Sequence, residues 1–380
     1  MNEGLSAEQV ALRATVREVA EGEIAPVAEE LDRESRFPYE IVATLGEVGL
    51  MGMTVPLELG GAGLDTLSYA IAIEELARVD SSVAITVAAH TGLGTMPIVL
   101  YGDEEQKRRW VPDLAAGRGL GAFGLTEPEA GSDAGATRTR ARSRPDGGWR
   151  IDGAKMFITN AGTDITACCT ITARDDNGGV GAFIVPADSP GYRPDPPLRK
   201  VGWRASDTRP VHLDGVEVGP EALLGPPGAG LRQALACLDG GRIAIAAMGV
   251  GLAQGAFELA LAYARQRRQF GRAIVAFQAV EFALAEMATE ITAARCLLYH
   301  AARVKDSGAS ATKLAAMAKL TAGRLAQTVA ERSLHLHGGY GWMEESPIAR
   351  MYRDAKILEI GEGTSEVQKM VIARTIGAHE

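Results

Sequence analysis

The sequence predicts a mainly α-helical protein with a central β-domain. An N-terminal helical domain (1–120) precedes an antiparallel, β-barrel-like middle domain (121–230) and a C-terminal four-helix bundle (231–380). Three observations predict this. Apolar residues recur at helical spacing in the first region. Glycine, proline, threonine and β-branched residues take over near Gly121. From Gly230 onward the chain is alanine-rich and helically patterned again. At 380 residues the chain suits two or three domains better than one simple core.

In the first region Ser6 and Gln9 have capping-box spacing, and Leu12, Val16 and Val19 follow on one helical face. "PLELGGAGLDTL" interrupts the pattern, and "SYAIAIEELARVD" then predicts a well-buried helix. "GDEEQKRRWVPDLAAGR", acidic at its start and basic in its middle, predicts a short amphipathic helix. In the middle region "GGWRIDGAKMFITNAG" carries an Asp152-Gly153 turn signal and predicts a hairpin. "ITACCTITAR", "GAFIVPAD" and "RPVHLDGVEV" predict further short strands. No helices alternate with them, which disfavours a parallel βαβ sheet. In the third region three long alanine-rich runs, beginning at Leu231, Phe277 and Thr312, and a fourth helix after Thr364 predict the bundle.

Composition excludes several function classes. The chain is 46% hydrophobic and 23% charged, as soluble globular proteins are. A formal net charge of −9 argues against a sequence-independent nucleic-acid binder. No apolar run reads as a bilayer span, and "MNEGLSAEQV" has no secretory pattern, so no membrane association and a cytoplasmic location are expected. Cys168, Cys169, Cys237 and Cys296 form no CxxC pair. "GVGLAQG" lacks the GxGxxG spacing and reads as close helix packing. His335 and His337 have no third ligand nearby, and no metal is expected.

Two stretches suggest chemistry. In "GLTEPEAGSDAGA" (124–136), small residues and the hydroxyls of Thr126, Ser132 and Thr137 let backbone N–H groups approach a flat or anionic ligand. Composition alone would make it a polar surface loop. In "EIGEGTSE", Glu362 lies between Gly361 and Gly363 in an otherwise helical segment. Each glycine costs roughly 1 kcal/mol relative to alanine inside a helix. Either the carboxylate marks the N-terminus of the next helix, or something must come close to Glu362.

Together with "KMFITNAG" (155–162), "RRQFGRAIVAFQ" (267–278) and "HGGYGWMEESPIARMYRDAKILEIGEGTSEVQ" (337–368), these stretches resemble, in order, the signatures of the acyl-CoA dehydrogenases, which are FAD flavoproteins. The resemblance covers essentially the whole chain. It implies that Thr126 bonds the flavin pyrimidine edge, with Phe123 and Leu125 lining the same loop. It places Ser132 between the FAD phosphate region and the substrate pantetheine. Phe157 and Thr159 match the aromatic shield and the hydroxyl near flavin N5. Arg267, Gln269, Phe270 and Gln278 match positions that reach the FAD of a neighbouring subunit, where arginine suits the pyrophosphate. Gly338 and Gly339 match the turn under the adenosine half, and Thr364 and Glu366 match further cofactor contacts. Asp239 and Arg242 match the mouth and wall of the acyl-CoA tunnel. Glu362 matches the catalytic base, flanked by Gly361 and Gly363 on the substrate side.

The chain departs from the family pattern at informative places. His335 stands where glutamine is usual, which bears on the adenine-side contact. Gly361 stands where many members have tyrosine, which implies a wider pocket, as in members that accept branched acids. Gly241 occupies the alternative base position and cannot serve. "LDGGRIAIAA" and "GAFGLTEPEAGSD" look most like the short-chain, butyryl-type branch. The resemblance therefore implies oxidation of a short or branched acyl-CoA to the trans-2-enoyl-CoA, with electrons passing to an electron-transfer flavoprotein. It also implies a homotetramer built as a dimer of dimers. The alternatives are an acyl-CoA oxidase or an enzyme acting on an acyl carrier protein. A flavin-bearing DNA-binding relative would be expected to end in a basic extension, unlike "IARTIGAHE".

Overall fold

A computed structural model describes residues 4–378. The first region is helical: α1 (Ala7–Val19), α2 (Ala28–Glu34), α3 (Tyr39–Glu47), α4 (Thr66–Val79), α5 (Ser81–Ala88), α6 (Met96–Tyr101) and α7 (Glu104–Ala115). Local sequence sets the ends. Ser6 and Gln9 form the reciprocal capping box of α1, and Asp103 and Gln106 repeat it at α7. The Asp65 carboxylate accepts the Ser68 N–H at the start of α4. That helix is buried from Leu67 to Ala77, because it packs against α1 on one side and the C-terminal helices on the other.

The middle region holds β1 (Leu120–Gly124), β2 (Arg140–Ser143), β3 (Trp149–Thr159), β4 (Thr166–Arg174), β5 (Val180–Pro186), β6 (Tyr192–Pro194) and β7 (Thr208–Val218). They form one sheet in the order β1-β4-β2-β3-β7-β6, with β5 also on β4. β1 and β2 run parallel to β4 and the other pairings are antiparallel, so the sheet is mixed. It does not close into a barrel. The expected turn at Asp152-Gly153 is absent: β3 runs straight through it, shifting register between Ile151 and Gly153. Glycine is needed there because a Cβ would lie 2.6 Å from Thr139 Oγ1. The hairpin closes earlier, where the Arg144 N–H bonds the Gly148 carbonyl across "RPDGG".

The third region contains α8 (Gly230–Gln266), a short exposed hairpin of β8 (Arg268–Gln269) and β9 (Arg272–Ala273), then α9 (Gln278–Asp306), α10 (Thr312–His337), α11 (Pro347–Ala355) and α12 (Ser365–Thr375). The three long helices pack on one another and α12 lies against α10. The fourth helix starts after Thr364 as expected, but has only 11 residues. Contrary to the sequence reading, two stretches are long and apolar enough to span a bilayer, Ser81–Tyr101 and Gly230–Gln266. Their most apolar windows are 72% and 83% buried inside the fold, so the core already covers these faces. Asp354 on α11 joins all three regions: it accepts from Ser81 Oγ and from the Trp203 N–H, both at 2.7 Å.

Candidate active site

After α11 the chain makes one 3₁₀ turn, Lys356–Glu359, and reverses before Thr364 caps α12 by accepting the Val367 N–H. The reversal places Glu362 at φ 52° and Gly363 at φ 92°. The left-handed region is unfavourable for a residue with a side chain, so the turn must be held from outside. Two buried side chains do this. Lys319 Nζ on α10 donates to the Gly363 carbonyl at 2.6 Å. Gln368 Nε2 donates to the carbonyls of Glu362 (3.2 Å) and Gly363 (2.9 Å).

The two glycines differ. Gly363 is required, both by its φ and because a Cβ would lie 2.7 Å from Gln368 Nε2. Gly361 is not: the nearest atom to a Cβ there is the Ile357 carbonyl oxygen at 3.6 Å. A Cβ at 361 would make only ordinary van der Waals contact.

The Glu362 carboxylate points inward. Its Oε2 is buried and has no hydrogen-bond partner among the described residues. It lies against Gly241 on α8, where a Cβ would overlap it. That position therefore both lacks a base and makes room for Glu362. Burial, opposed by the charges of Lys319 and Arg242, raises the Glu362 pKa to about 7. The Glu362 N–H makes no hydrogen bond among the described residues, leaving a donor beside the carboxylate. Arg242 pairs with Asp239, whose other oxygen accepts from Thr312 Oγ1 at 2.6 Å.

A second group of residues forms on the sheet. Lys155, fully buried on β3, pairs with Glu127 at 2.7 Å and also donates to the Leu125 carbonyl. Glu127 accepts from Thr137 Oγ1 and from the N–H groups of Arg138 and Thr139. Burial opposes ionisation of Glu127, but Lys155 and these donors prevail and hold its pKa at about 2. The pair clamps the loop carrying Leu125, Thr126 and Ser132. The Met156 N–H bonds the Thr126 carbonyl, so this loop meets Phe157 and Thr159 on β3, while Phe123 lies just before it on β1. Phe157 is 63% exposed, at φ 62°. A strained, exposed aromatic beside threonine hydroxyls fits a flat ring system such as isoalloxazine.

The third group lies apart. Arg267 stacks over Tyr340, next to Gly338 and Gly339. Gln269, Phe270 and Gln278 are exposed, as is His335 near the end of α10. Phe270 is 94% exposed at φ 50°. No hydrogen bond or ring contact among the described residues joins this arm to the Phe123–Thr159 group or to Glu362. Glu366 is exposed and pairs with Lys369. His337 stacks on Tyr263 and bonds the Ser333 carbonyl, and no metal cluster exists among the described residues.

The sequence reading missed Lys319, Gln368 and the Lys155–Glu127 pair. One signal was available: Lys319 falls among Ala315, Ala316, Ala318 and Ala322, on the buried face of an alanine-rich helix.

A helical domain, a sheet and a helical bundle, with an exposed aromatic shelf and an inward carboxylate, fit the flavin-dependent oxidoreductase class that the sequence resembles. Comparison with known proteins makes this specific. The chain matches the acyl-CoA dehydrogenase N-terminal domain at residues 6–118, the middle domain at 122–216 and the C-terminal domain at 228–377. It is 44% identical over 378 residues to the short-chain specific acyl-CoA dehydrogenase of Clostridium acetobutylicum, covering 99% of this chain and 100% of that one. Butyryl-CoA dehydrogenase of Megasphaera elsdenii superposes with a TM-score of 0.96 at 39% identity, covering 99% and 100% of the two chains. A structure described as the electron transferring flavoprotein of Acidaminococcus fermentans gives a TM-score of 0.96 at 40% identity, with 99% of each chain covered.

The chain belongs to the acyl-CoA dehydrogenase family. It is an FAD-dependent oxidoreductase acting on the CH–CH bond of acyl-CoA.

Proposed function

We infer that the protein dehydrogenates a short or branched saturated acyl-CoA to its trans-2-enoyl-CoA, with Glu362 as the base. The carrying observation is the Glu362 carboxylate: buried, without a partner at Oε2, and raised to about 7. A carboxylate so placed is poised to accept a proton near neutral pH. Bound FAD supplies the acceptor for the β-hydride. Glu362 takes the α-proton, and its backbone N–H, unbonded among the described residues, would serve as a donor for the thioester oxygen, whose charge grows as the proton leaves. Gly241 keeps the carboxylate unobstructed.

Phe157 would shield the flavin ring, with Thr159 near N5 and Thr126 on the pyrimidine edge, flanked by Phe123 and Leu125. Thr364 and Glu366 would touch the cofactor beyond the base. Ser132, Asp239 and Arg242 would line the acyl-CoA path. Arg267, Gln269, Phe270 and Gln278 would serve the FAD of a second subunit, with Gly338, Gly339 and His335 on the adenosine side. The exposure of Gln269, Phe270, Gln278, His335, Gly338 and Gly339 supports that reading. It carries with it a homotetramer, an electron-transfer flavoprotein as acceptor, a cytoplasmic location and domain limits near residues 120 and 230. Gly361, where many members carry tyrosine, would leave space for short or branched acids, and the local packing does not itself require glycine there.

Anaerobic addition of straight and branched acyl-CoAs to the FAD-loaded protein tests this. Short and branched thioesters should bleach the flavin fastest. A flavin left oxidised by all of them would overturn the reading.

A further inference from the structure

Lys319 is buried with only 1% of its surface exposed, in the N-terminal third of α10. A buried ammonium is costly unless it is paired, and the usual pairing is a direct ion pair with a carboxylate. Lys319 does something else. Its hydrogen bond goes to the Gly363 carbonyl, one residue past Glu362. Glu362 and Glu359 from the turn and Glu366 from α12 face it with negative charge, and Arg242 faces it from α8 with positive charge. None of these carboxylates is bonded to it, and Glu362 Oε2 stays unpartnered.

This arrangement separates two tasks. A direct bond from Lys319 to Glu362 would occupy the lone pairs that must accept a proton. A bond to the neighbouring carbonyl fixes the backbone instead and leaves the carboxylate open, while the charge still acts through space. Gln368 shares the first task and not the second. Buried and neutral, it donates to the same Gly363 carbonyl and to the Glu362 carbonyl.

We propose that Lys319 is a positioning residue for the base: with Gln368 it pins the left-handed Glu362–Gly363 turn, and its positive charge, with that of Arg242, faces the Glu362 carboxylate without bonding to it. The proposal rests on Glu362 being the base. Burial lowers the pKa of Lys319 to about 8, opposed by Glu362 and Glu359, so it is largely charged at pH 7. Tyr69 on α4, whose own ionisation Glu362 opposes, is the neutral group facing the carboxylate from the N-terminal side.

The test is the pH dependence of anaerobic flavin reduction in Lys319→Met, Lys319→Arg and Gln368→Leu. FAD content and melting temperature confirm each protein is loaded and folded. In Lys319→Met the acid-side inflection should move up by about one pH unit or more, with the rate partly recovered at high pH. Lys319→Arg should keep the original inflection. Gln368→Leu should be slower at every pH with its inflection unmoved. A second readout needs no turnover. Proton uptake on binding a non-reacting acyl-CoA analogue, measured by calorimetry, should change in Lys319→Met and not in Gln368→Leu. If Lys319→Met fails to load FAD, Lys319→Gln, which keeps a donor but no charge, should show the same shift.

An unmoved inflection in the uncharged variants would overturn the proposal, as would equal losses at every pH in all three. Glu362→Gln separates the two levels. If that variant still reduces flavin, the base is elsewhere. If it does not, and the lysine variants show no shift, only the role of Lys319 fails.

Discussion

Two stretches use the same backbone device in opposite settings. In Glu362-Gly363 and in Phe270-Gly271, a side-chain-bearing residue sits at positive φ, 52° and 50°, just before a glycine at positive φ. Around Glu362 the chain itself provides the restraint: Lys319 and Gln368 hold the carbonyls and Gly241 makes room for the carboxylate. Around Phe270 the restraint is only local: Phe270 and Gly271 close the β8–β9 hairpin, and Arg268 Nη2 donates to the Gly271 carbonyl at 3.1 Å. The ring is 94% exposed, touching Phe277 edge-on, and a Cβ at Gly271 would meet nothing within 4 Å. Strain of this kind costs roughly 1–3 kcal/mol and persists where surroundings impose it. The first turn is complete within one chain. The second is set by its own hairpin, which leaves the Phe270 ring projecting into solvent, as the proposed arm requires.

The comparison can be broken at either end. Glu362→Gln should have the largest effect, lowering flavin reduction on the order of 10³-fold while leaving FAD and acyl-CoA binding intact, as measured by stopped-flow bleaching and titration. In the unmodified enzyme kcat/KM should fall about tenfold per pH unit below about 7, because only the ionised carboxylate accepts the proton and its pKa is raised to about 7. Arg267→Ala should weaken FAD binding about 10- to 100-fold, the worth of a charge-assisted bond, without moving that pH profile. The glycine pair gives a smaller, sharper contrast. Gly363→Ala adds a clash with Gln368 to an unfavourable φ and should cost about 2–3 kcal/mol in thermal or denaturant unfolding. Gly271→Ala, with open space around it, should cost about 1 kcal/mol. Gly361→Tyr should change stability least, within about 0.5 kcal/mol, yet shift preference from branched to straight acyl-CoAs in competition assays.

Much of the fold was legible because it rests on local signals: the capping boxes at Ser6 and Asp103, the change of texture at Gly121, and the alanine-rich helices. The hairpin was misplaced because Asp152-Gly153 carries a turn signal that only Thr139, packed against Gly153, shows to be a close approach. The bilayer-length helices went unrecognised because alanine and glycine dilute their apolar character residue by residue. At the site, Glu362 stood out through its glycines. Gln368 did not, since a glutamine on a helix carries no mark of the carbonyls it will reach across a turn. Lys319 acts on a residue 43 positions away, and only the packing of α12 on α10 brings them together. The arm is the reverse case, readable as sequence, while among the described residues its side-chain hydrogen bonds and ring contacts are confined to its own hairpin and to Phe277 and Tyr340.

Mixed oligomers test the central claim most directly. Glu362→Gln chains keep the arm and lack the base; Arg267→Ala chains keep the base and lack the arm. Each variant alone should be nearly inactive at limiting FAD. If base and arm of one site come from different chains, coexpression should restore sites that have both, up to about half of those in a one-to-one mixed dimer. If base and arm act within one chain, no mixed site has both, and absence of recovery in verified mixed oligomers would contradict the account.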